Sequence, residues 1–311
     1  MPPLRIVALS LLLAPLGQAE ETPAHLGPVT GVAVVGGQVY SVSQAGIFRA
    51  ARRLAKPPFR VMSMASAPKK NAEPLLLLGG GQPAASGEIA AIDPAKGTLT
   101  RRKLGDDLVY SVAVSPDGKT AAAAMADGRV LTFGFPSLAT GSVTEANRHQ
   151  AVVRAIAFSP DGQWLASAGL DGLVLLTPRN PKAKPVVLAD HSAGVESLAF
   201  APNSGQLASG SRDGRVRLHT IGGRLLRTFQ GVGEPPDATG FGQAPRVLCL
   251  DWSEAGLIGG TSTGYVFRLP NGQGDWQPLH REKASPVYAL GQASGQIVAG
   301  KTGQLLKLPK P

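Results

Sequence analysis

The sequence is poor in the residue types that cross-link small secreted domains or build redox and metal sites. A single cysteine, Cys249, excludes an intramolecular disulfide and any CxxC metal or haem-attachment motif. Aromatic residues make up only 5% of the 311 residues and charged residues only 17%. With 43% hydrophobic residues, such a chain can bury a large core, so intrinsic disorder is excluded.

Glycine and proline are abundant instead. The chain has 39 glycines and 26 prolines, a content that favours many turns over long helices and predicts an all-β fold. Lysine and arginine number 31 against 21 aspartate and glutamate residues, which gives a formal net charge of +10. This positive charge predicts an acidic protein or an anionic surface as a neighbour.

Residues 1–19 have the pattern of a secretory signal peptide. Arg5 is their only charged residue, an apolar run covers residues 6–16, and Gly17 and Ala19 are small residues suited to a cleavage site. The apolar run is too short to span a bilayer. We expect cleavage after Ala19, export to a bacterial periplasm, and a mature chain, residues 20–311, with no transmembrane segment.

One pattern recurs seven times along the mature chain. Each copy begins with Val-x-x-apolar and reaches a Gly-x-apolar step, and the glycines recur at intervals of 39 to 50 residues. The seven valines are Val29, Val61, Val109, Val153, Val195, Val247 and Val287, and the seven glycines are Gly46, Gly87, Gly128, Gly172, Gly214, Gly264 and Gly303. Turn sequences such as SPDG lie between the two markers, so each copy predicts short antiparallel strands that pack against the neighbouring copies.

Residues 149–177 and 191–220 resemble the WD repeats of seven-bladed β-propellers. The resemblance implies an all-β, seven-bladed propeller of four-stranded antiparallel blades over residues 20–311. In WD repeats a His, a Ser or Thr, an Asp and a Trp form a hydrogen-bonded brace within a blade. The matching residues here are His149, Ser167 and Asp171 in one copy and His191, Ser209 and Asp213 in the next. Thr177 and His219 stand where the tryptophan would be, so we expect these blades to depend more on apolar packing.

Three segments leave the architecture open or depart from the repeat. Only eight residues follow Gly303, too few to complete the last blade. Residues 20–28 could supply its outer strand, as in similar propellers, and a three-stranded final blade is the alternative. Residues 69–87 and 231–245 are rich in glycine, proline and polar residues and are predicted to be loops.

Catalytic motifs occur but lack the structural context that they require. GQIVAGKT at residues 295–302 satisfies the phosphate-binding loop pattern, yet the following residues predict a strand and not a helix. GTSTG at residues 260–264 satisfies GxSxG, yet Ser262 falls between two predicted strands. The five histidines show no metal-ligand spacing. We therefore predict no catalytic residue, no metal and no cofactor.

The basic clusters at residues 49–60 and 101–103 are not interleaved with aromatic residues. This pattern favours a solvated outer strand face and argues against nucleic acid as a partner.

Two positions in the repeat are implied by the resemblance to face the mouth of the central channel, where partners of similar propellers dock. One follows the first valine of each copy, and the other lies two residues before the marker glycine. Tyrosine and arginine are enriched at interface hot spots. The predicted partner-binding residues at these positions are Tyr110, Arg154, Glu196, Arg212, Tyr288 and Lys301.

These observations predict a non-catalytic, exported scaffold that binds a protein partner, with an acidic partner favoured by the charge. The scaffold would support the assembly or function of a periplasmic, envelope or electron-transfer complex. We expect a monomeric propeller, and peripheral contact with a membrane stays open. The alternative is an exported enzyme or small-ligand binder that uses the mouth of the channel.

Overall fold

The structure, a computed structural model, describes residues 25–50, 52–69, 72–180, 183–230, 245–270, 274–280, 285–293 and 296–308. The predicted signal peptide and residues 20–24 lie outside the described residues, as does nearly all of the predicted loop at residues 231–245. In the part of the chain that is described, no helix is both long and apolar enough to span a membrane.

The described strands form seven separate antiparallel sheets, each with its strands in chain order. Blade 1 consists of β1 (Gly31–Val35), β2 (Gln38–Ser43), β3 (Gly46–Arg49) and β4 (Arg52–Ala55). Blade 2 consists of β5 (Arg60–Lys69), β6 (Ala72–Gln82), β7 (Ser86–Asp93) and β8 (Thr98–Gly105). Blade 3 consists of β9 (Val109–Val114), β10 (Thr120–Met125), β11 (Arg129–Gly134) and β12 (Val143–Arg148). Blade 4 consists of β13 (Val153–Phe158), β14 (Trp164–Gly169), β15 (Leu173–Pro178) and β16 (Val186–Asp190). Blade 5 consists of β17 (Val195–Phe200), β18 (Gln206–Ser211), β19 (Val216–Thr220) and β20 (Leu225–Phe229). Blade 6 consists of β21 (Val247–Ser253), β22 (Gly256–Thr261), β23 (Val266–Leu269) and β24 (Gln277–His280). Blade 7 is β25 (Ala289–Ala293), β26 (Gln296–Gly300), β27 (Leu305–Leu308).

The sheets pack face to face in a closed ring. Seven buried apolar clusters are formed by described residues, and each joins one pair of consecutive blades, with the seventh joining blade 7 to blade 1. No single sheet can bury both of its faces alone, so the ring distributes the core over its blade interfaces. The predicted seven-bladed propeller of antiparallel blades is confirmed.

The seven marker valines lie at these interfaces, and each is 0% exposed. Four of them pack against a glycine in the second strand of the preceding blade: Val109 on Gly79, Val247 on Gly210, Val287 on Gly260, and Val29 on Gly300. In two further interfaces the equivalent residue is an alanine in the same apolar cluster as the valine, Ala124 with Val153 and Ala168 with Val195. Small residues at this position let the blades approach closely enough to exclude voids.

The N-terminal segment closes the ring against blade 7. Val29 donates its N–H to the carbonyl of Lys301 over 3.2 Å, and Gly303 donates its N–H to the carbonyl of Gly27 over 2.9 Å. Pro28 and Thr302 form an isolated antiparallel bridge. Blade 7 therefore has three strands among the described residues, and residues 27–29 run beside it where a fourth strand would end.

The prediction of a loop at residues 69–87 is wrong. In the structure, β5 and β6 are the two longest strands and form one extended hairpin, and β7 begins at Ser86. The leucines of β6 explain the difference, because Leu76, Leu77 and Leu78 are each 0% exposed and favour a strand buried on both faces. The glycine-rich sequence after them suggested a loop, but it continues the strand as far as Gln82.

Replacement of Gly260 by alanine is expected to destabilise the fold by about 1–3 kcal/mol, since overpacking a well-packed core has this cost. The added methyl group would lie 2.5 Å from Val287 Cγ1 and 2.8 Å from Cys249 Sγ. Urea unfolding measures the effect. Gly134→Ala is the matched control, because that glycine ends β11 with nothing within 4 Å of the added carbon. Equal stability of the two variants would contradict tight packing at the interface of blades 6 and 7.

Candidate functional site

The predicted position after the marker valine is a β-bulge in five of the blades. In blade 4, for example, Val153 pairs with Gly169 and Ala155 with Ala168, so Arg154 has no cross-strand partner. The residues skipped in this way are Met62, Tyr110, Arg154, Glu196 and Leu248. A bulge removes a residue from the hydrogen-bonded ladder and redirects its side chain, so the repeat presents one side chain per blade at the start of the inner strand.

The second predicted position lies beside the first in space. Arg212, in the turn after β18, donates its N–H to the carbonyl of Gly194, directly before the inner strand of the same blade, over 2.9 Å. The same bond recurs from Ala126 to Leu108, from Leu170 to Val152, and from Ser262 to Arg246. Both positions therefore lie on one face of the propeller, which we call the upper face.

Four of the six predicted partner-binding residues are in contact on the upper face. The guanidinium carbon of Arg154 lies 4.5 Å from the centre of the Tyr110 ring. Arg154 Nε donates to Glu196 Oε2 over 2.8 Å, and Arg212 Nε donates to Glu196 Oε1 over 2.5 Å. This set, here called the polar cluster, joins blades 3, 4 and 5.

Glu196 is the buried centre of the polar cluster. Its side chain is 2% exposed, whereas those of Arg154 and Arg212 are 28% and 37% exposed. Burial opposes ionisation of Glu196, but the two guanidinium groups outweigh it and lower the pKa of the carboxyl below its usual value. The glutamate therefore stays charged and orients both arginines, and the cluster keeps one uncompensated positive charge.

The other two predicted residues lie in blade 7, apart from the contacts of the polar cluster. Tyr288 is partly exposed just after Val287. Lys301 is 0% exposed, so its side chain offers no surface to a partner in this structure. The predicted register is wrong for Lys301. Its N–H donates to the Gln304 carbonyl, as Thr261 donates to Tyr265, so Lys301 lies at the buried position before the predicted one.

The structure brings each predicted brace together behind the upper face. His149 Nε2 lies 2.9 Å from Ser167 Oγ, and His149 Nδ1 lies 3.0 Å from Asp171 Oδ2. In the next blade His191 Nε2 lies 2.8 Å from Ser209 Oγ, and the separation of His191 Nδ1 from Asp213 Oδ2 is 3.5 Å. The histidines anchor the segment that leads into each inner strand.

Comparison with known protein families finds the WD domain, G-beta repeat, at residues 97–132, 140–176 and 184–220. These matches fall on blades 2 to 5 of the ring of seven. The chain is a WD-repeat β-propeller. A comparison with curated proteins finds no match. Propellers of this family are commonly scaffolds for protein interaction and are typically non-catalytic.

The WD-repeat brace of blade 4 replaces the missing tryptophan with polar residues. Ser167 Oγ donates to Asn147 Oδ1 over 3.3 Å, and Asn147 Nδ2 donates to Thr177 Oγ1 over 2.6 Å. Asn147 lies on the outer strand of blade 3, so this brace crosses a blade boundary. The sequence predicts a greater dependence on apolar packing in these blades, and in blade 4 the structure adds a hydrogen bond at the position of the tryptophan.

A third brace, in blade 1, was not predicted from the sequence. His25 Nε2 lies 3.2 Å from Ser41 Oγ, and His25 Nδ1 lies 2.8 Å from Ser43 Oγ, which takes the place of the aspartate. Ser41 lies five residues before the marker Gly46, as Ser167 lies five residues before Gly172, and this signal could have revealed the brace. Because burial is not offset by a carboxylate, it lowers the pKa of His25 to about 4.

The two sequence motifs of enzymes lie in strand contexts. The phosphate-loop pattern includes β26 and the beginning of the turn after it. The element that follows this turn is the strand β27 and not a helix. Ser262 lies in the turn between β22 and β23, where its Oγ accepts the N–H of Arg246 over 3.0 Å. Among the described residues, no group of three or more His, Cys, Asp or Glu side chains is placed to hold a metal ion.

Asp251 is a carboxyl with a strongly altered pKa, and its contacts join two blades. It stands on the inner strand of blade 6, and its Oδ2 accepts the N–H of Gln292 of blade 7 over 2.9 Å. Gln292 Nε2 returns a hydrogen bond to the Asp251 carbonyl, also over 2.9 Å. Burial raises the pKa of Asp251 to about 6.

The raised pKa predicts how stability depends on pH. The folded state holds the Asp251 proton more tightly than the unfolded state, so this contribution to stability is complete below about pH 4 and is lost as the pH rises through about 6. The variant Asp251→Asn cannot ionise and can still accept the Gln292 N–H. We expect it to match the wild type near about pH 4 and to exceed its free energy of unfolding by about 1–3 kcal/mol above about pH 7.

Denaturant unfolding at a series of pH values measures this difference. Asp275→Asn is the control, because it makes the same chemical change at a side chain that is 99% exposed. A difference for Asp251→Asn that is constant across the range would contradict the assignment.

Proposed function

We propose that this WD-repeat propeller is an exported, non-catalytic scaffold that binds a protein partner on its upper face. The polar cluster is the observation that carries the proposal. The fold does not require charged residues at the position after the marker valine, because other blades have Thr30, Met62 and Leu248 there. Blades 3 to 5 instead hold an aromatic ring, two arginines and a buried carboxylate in fixed contact.

The composition of the polar cluster suits a partner with exposed carboxylates. Both guanidinium groups are oriented by Glu196 but keep exposed edges, and arginine binds carboxylates with two parallel hydrogen bonds. Tyr110 adds a ring whose area can be buried at an interface. The net charge of +10 would speed the approach of an acidic protein. We propose that the complex acts in the cell envelope, in assembly or in electron transfer.

Export is a separate part of the proposal and has its own test. The signal-peptide pattern of residues 1–19 predicts that the protein isolated from its native cells begins at Glu20 and is recovered in the periplasmic fraction. N-terminal sequencing of the fractionated protein measures both properties. A protein that retains Met1 and remains with the cytoplasmic fraction would overturn export while leaving the fold unaffected.

Binding at the upper face is tested by affinity capture from the native envelope fraction with wild type and variants. The double variant Arg154→Ala/Glu196→Ala removes the centre of the polar cluster without changing the net charge and without leaving the buried carboxylate unpaired. We expect it to lose the captured partner, as should Tyr110→Ala combined with Tyr288→Ala. Capture should also weaken with salt, because the contacts are charged.

The matched control is Arg148→Ala/Glu145→Ala, which removes an exposed ion pair on β12 and also keeps the net charge. It should capture the partner as the wild type does. If all variants retain the same partner while remaining folded, the upper face is not the binding site. Recovery of a stoichiometric small molecule in place of a protein would instead favour a ligand-binding function at the channel mouth.

A further inference from the structure

A groove on the outer circumference, between blades 1 and 2, combines positive charge with an apolar lining. Its volume is about 340 Å³. Blade 1 lines it with the end of β3 and with β4, and blade 2 lines it with Glu73 of β6, the end of β7, the following turn and the start of β8. The residues that matter here are Arg49, Arg52, Leu54, Ile92, Lys96 and Leu99. We call this feature the basic groove.

A further arginine, Arg101, flanks the basic groove. Its neighbour Arg102 points toward blade 3, where its guanidinium donates to the carbonyls of Leu138 and Gly141. Because side chains alternate along a strand, Leu99 and Arg101 face the other way, toward blade 1. The pairing agrees, since these residues lie opposite Ile92 and Ala90, which belong to the apolar cluster between blades 1 and 2.

Most of this positive charge is not compensated. Arg49 forms an ion pair with Glu73 of the neighbouring blade. Within the described ranges, Arg52, Lys96 and Arg101 have no ion-pair partner, and Arg52 and Arg101 are exposed. The sequence supports the same reading, because residues 25–107 contain eleven lysines and arginines against five aspartates and glutamates. More than half of the net charge of the protein therefore lies in its first two blades.

The apolar part of the basic groove restricts what can occupy it. Leu54, Ile92 and Leu99 stand beside the cations, and Leu99 is 37% exposed. A free phosphate would leave this apolar surface in water. A membrane surface would need cations that project onto one plane, whereas Arg49, Arg52 and Lys96 line a concave groove. An extended peptide can use both features, because its alternate side chains point in opposite directions.

The strands that flank the basic groove also offer backbone groups. β4 and β8 are the last strands of their sheets, so each has an outer edge that is not paired within its sheet. Extended peptides commonly bind by adding to such an edge, with side-chain pockets that set the specificity. We propose that the basic groove binds an extended acidic peptide segment of a partner, with carboxylates on Arg52, Lys96 and Arg101 and an apolar side chain on Leu54 and Leu99.

This site is distinct from the one under Proposed function. The polar cluster joins blades 3, 4 and 5 on the upper face, whereas the basic groove lies between blades 1 and 2 on the circumference. The two can fail independently, since Arg154→Ala/Glu196→Ala should leave peptide binding at the basic groove unchanged.

The test measures binding of a short, end-blocked peptide of alternating glutamate and leucine to the purified protein by fluorescence anisotropy. The variant Arg52→Ala/Arg101→Ala removes one exposed cation from each wall and should weaken binding about tenfold or more. The control Arg148→Ala/Arg224→Ala removes the same charge from blades 3 and 5 and should bind as the wild type does. Leu99→Ala should weaken binding without changing the net charge.

Further probes separate specific peptide binding from general attraction of anions. A peptide with glutamine in place of glutamate should bind much more weakly, and binding of the acidic peptide should fall as salt rises from about 0.05 M to about 0.5 M. The proposal is overturned if the glutamine peptide binds equally well, or if both double variants lose the same affinity. It is also overturned if vesicles of anionic lipid bind the wild type through Arg52 and Arg101 while the peptide does not.

Discussion

Close packing of one valine per blade against a small residue of the preceding blade sets the geometry of the whole ring. The valine is fully buried in all seven copies, and glycine or alanine receives it at six of the seven interfaces. A larger residue in place of one of these glycines or alanines would force two sheets apart locally, because each blade contacts only its neighbours. In five blades a bulge directly follows this valine, and the packed valine therefore fixes the position of the bulge at the upper face. Scaffold and site therefore depend on the same two adjacent positions of the repeat.

The sequence was sufficient for features that recur in phase. The strand starts at Val109, Val153 and Val195, the Asp-Gly turns and the face that carries Tyr110 and Arg154 all follow from the repeat, because register fixes which way a side chain points. It was insufficient where a residue depends on a neighbouring blade. Asn147 completes the brace of blade 4 from blade 3, and the carbonyl of Lys301 in blade 7 accepts the N–H of Val29 from the N-terminal segment. Such contacts depend on the curvature of the ring, which no single repeat encodes.

The three braces differ in what holds the histidine. His149 has both a serine and a carboxylate, so a proton on its ring has a charged partner within the blade. His25 has two serines and no carboxylate, and its burial therefore favours the neutral ring. The same backbone path is thus stabilised by two kinds of contact. This difference explains how the repeat can lose its aspartate and tryptophan and still form a blade, since the histidine–serine contact is the part that all three retain.

Burial of the polar cluster has a free-energy cost, and this cost is an argument about its function. Glu196 must be removed from water, and a buried ion pair often contributes less to stability than apolar residues of similar volume. Blade 6 shows that the ring accepts the apolar solution, because Leu248 occupies the equivalent position. Stability alone would therefore favour a leucine at residue 196 as well. A buried carboxylate that holds Arg154 and Arg212 in fixed orientations gains its advantage when those guanidinium groups meet a partner, since little side-chain entropy remains to be lost on binding. The placement of Glu196 therefore supports the proposed recognition at the upper face.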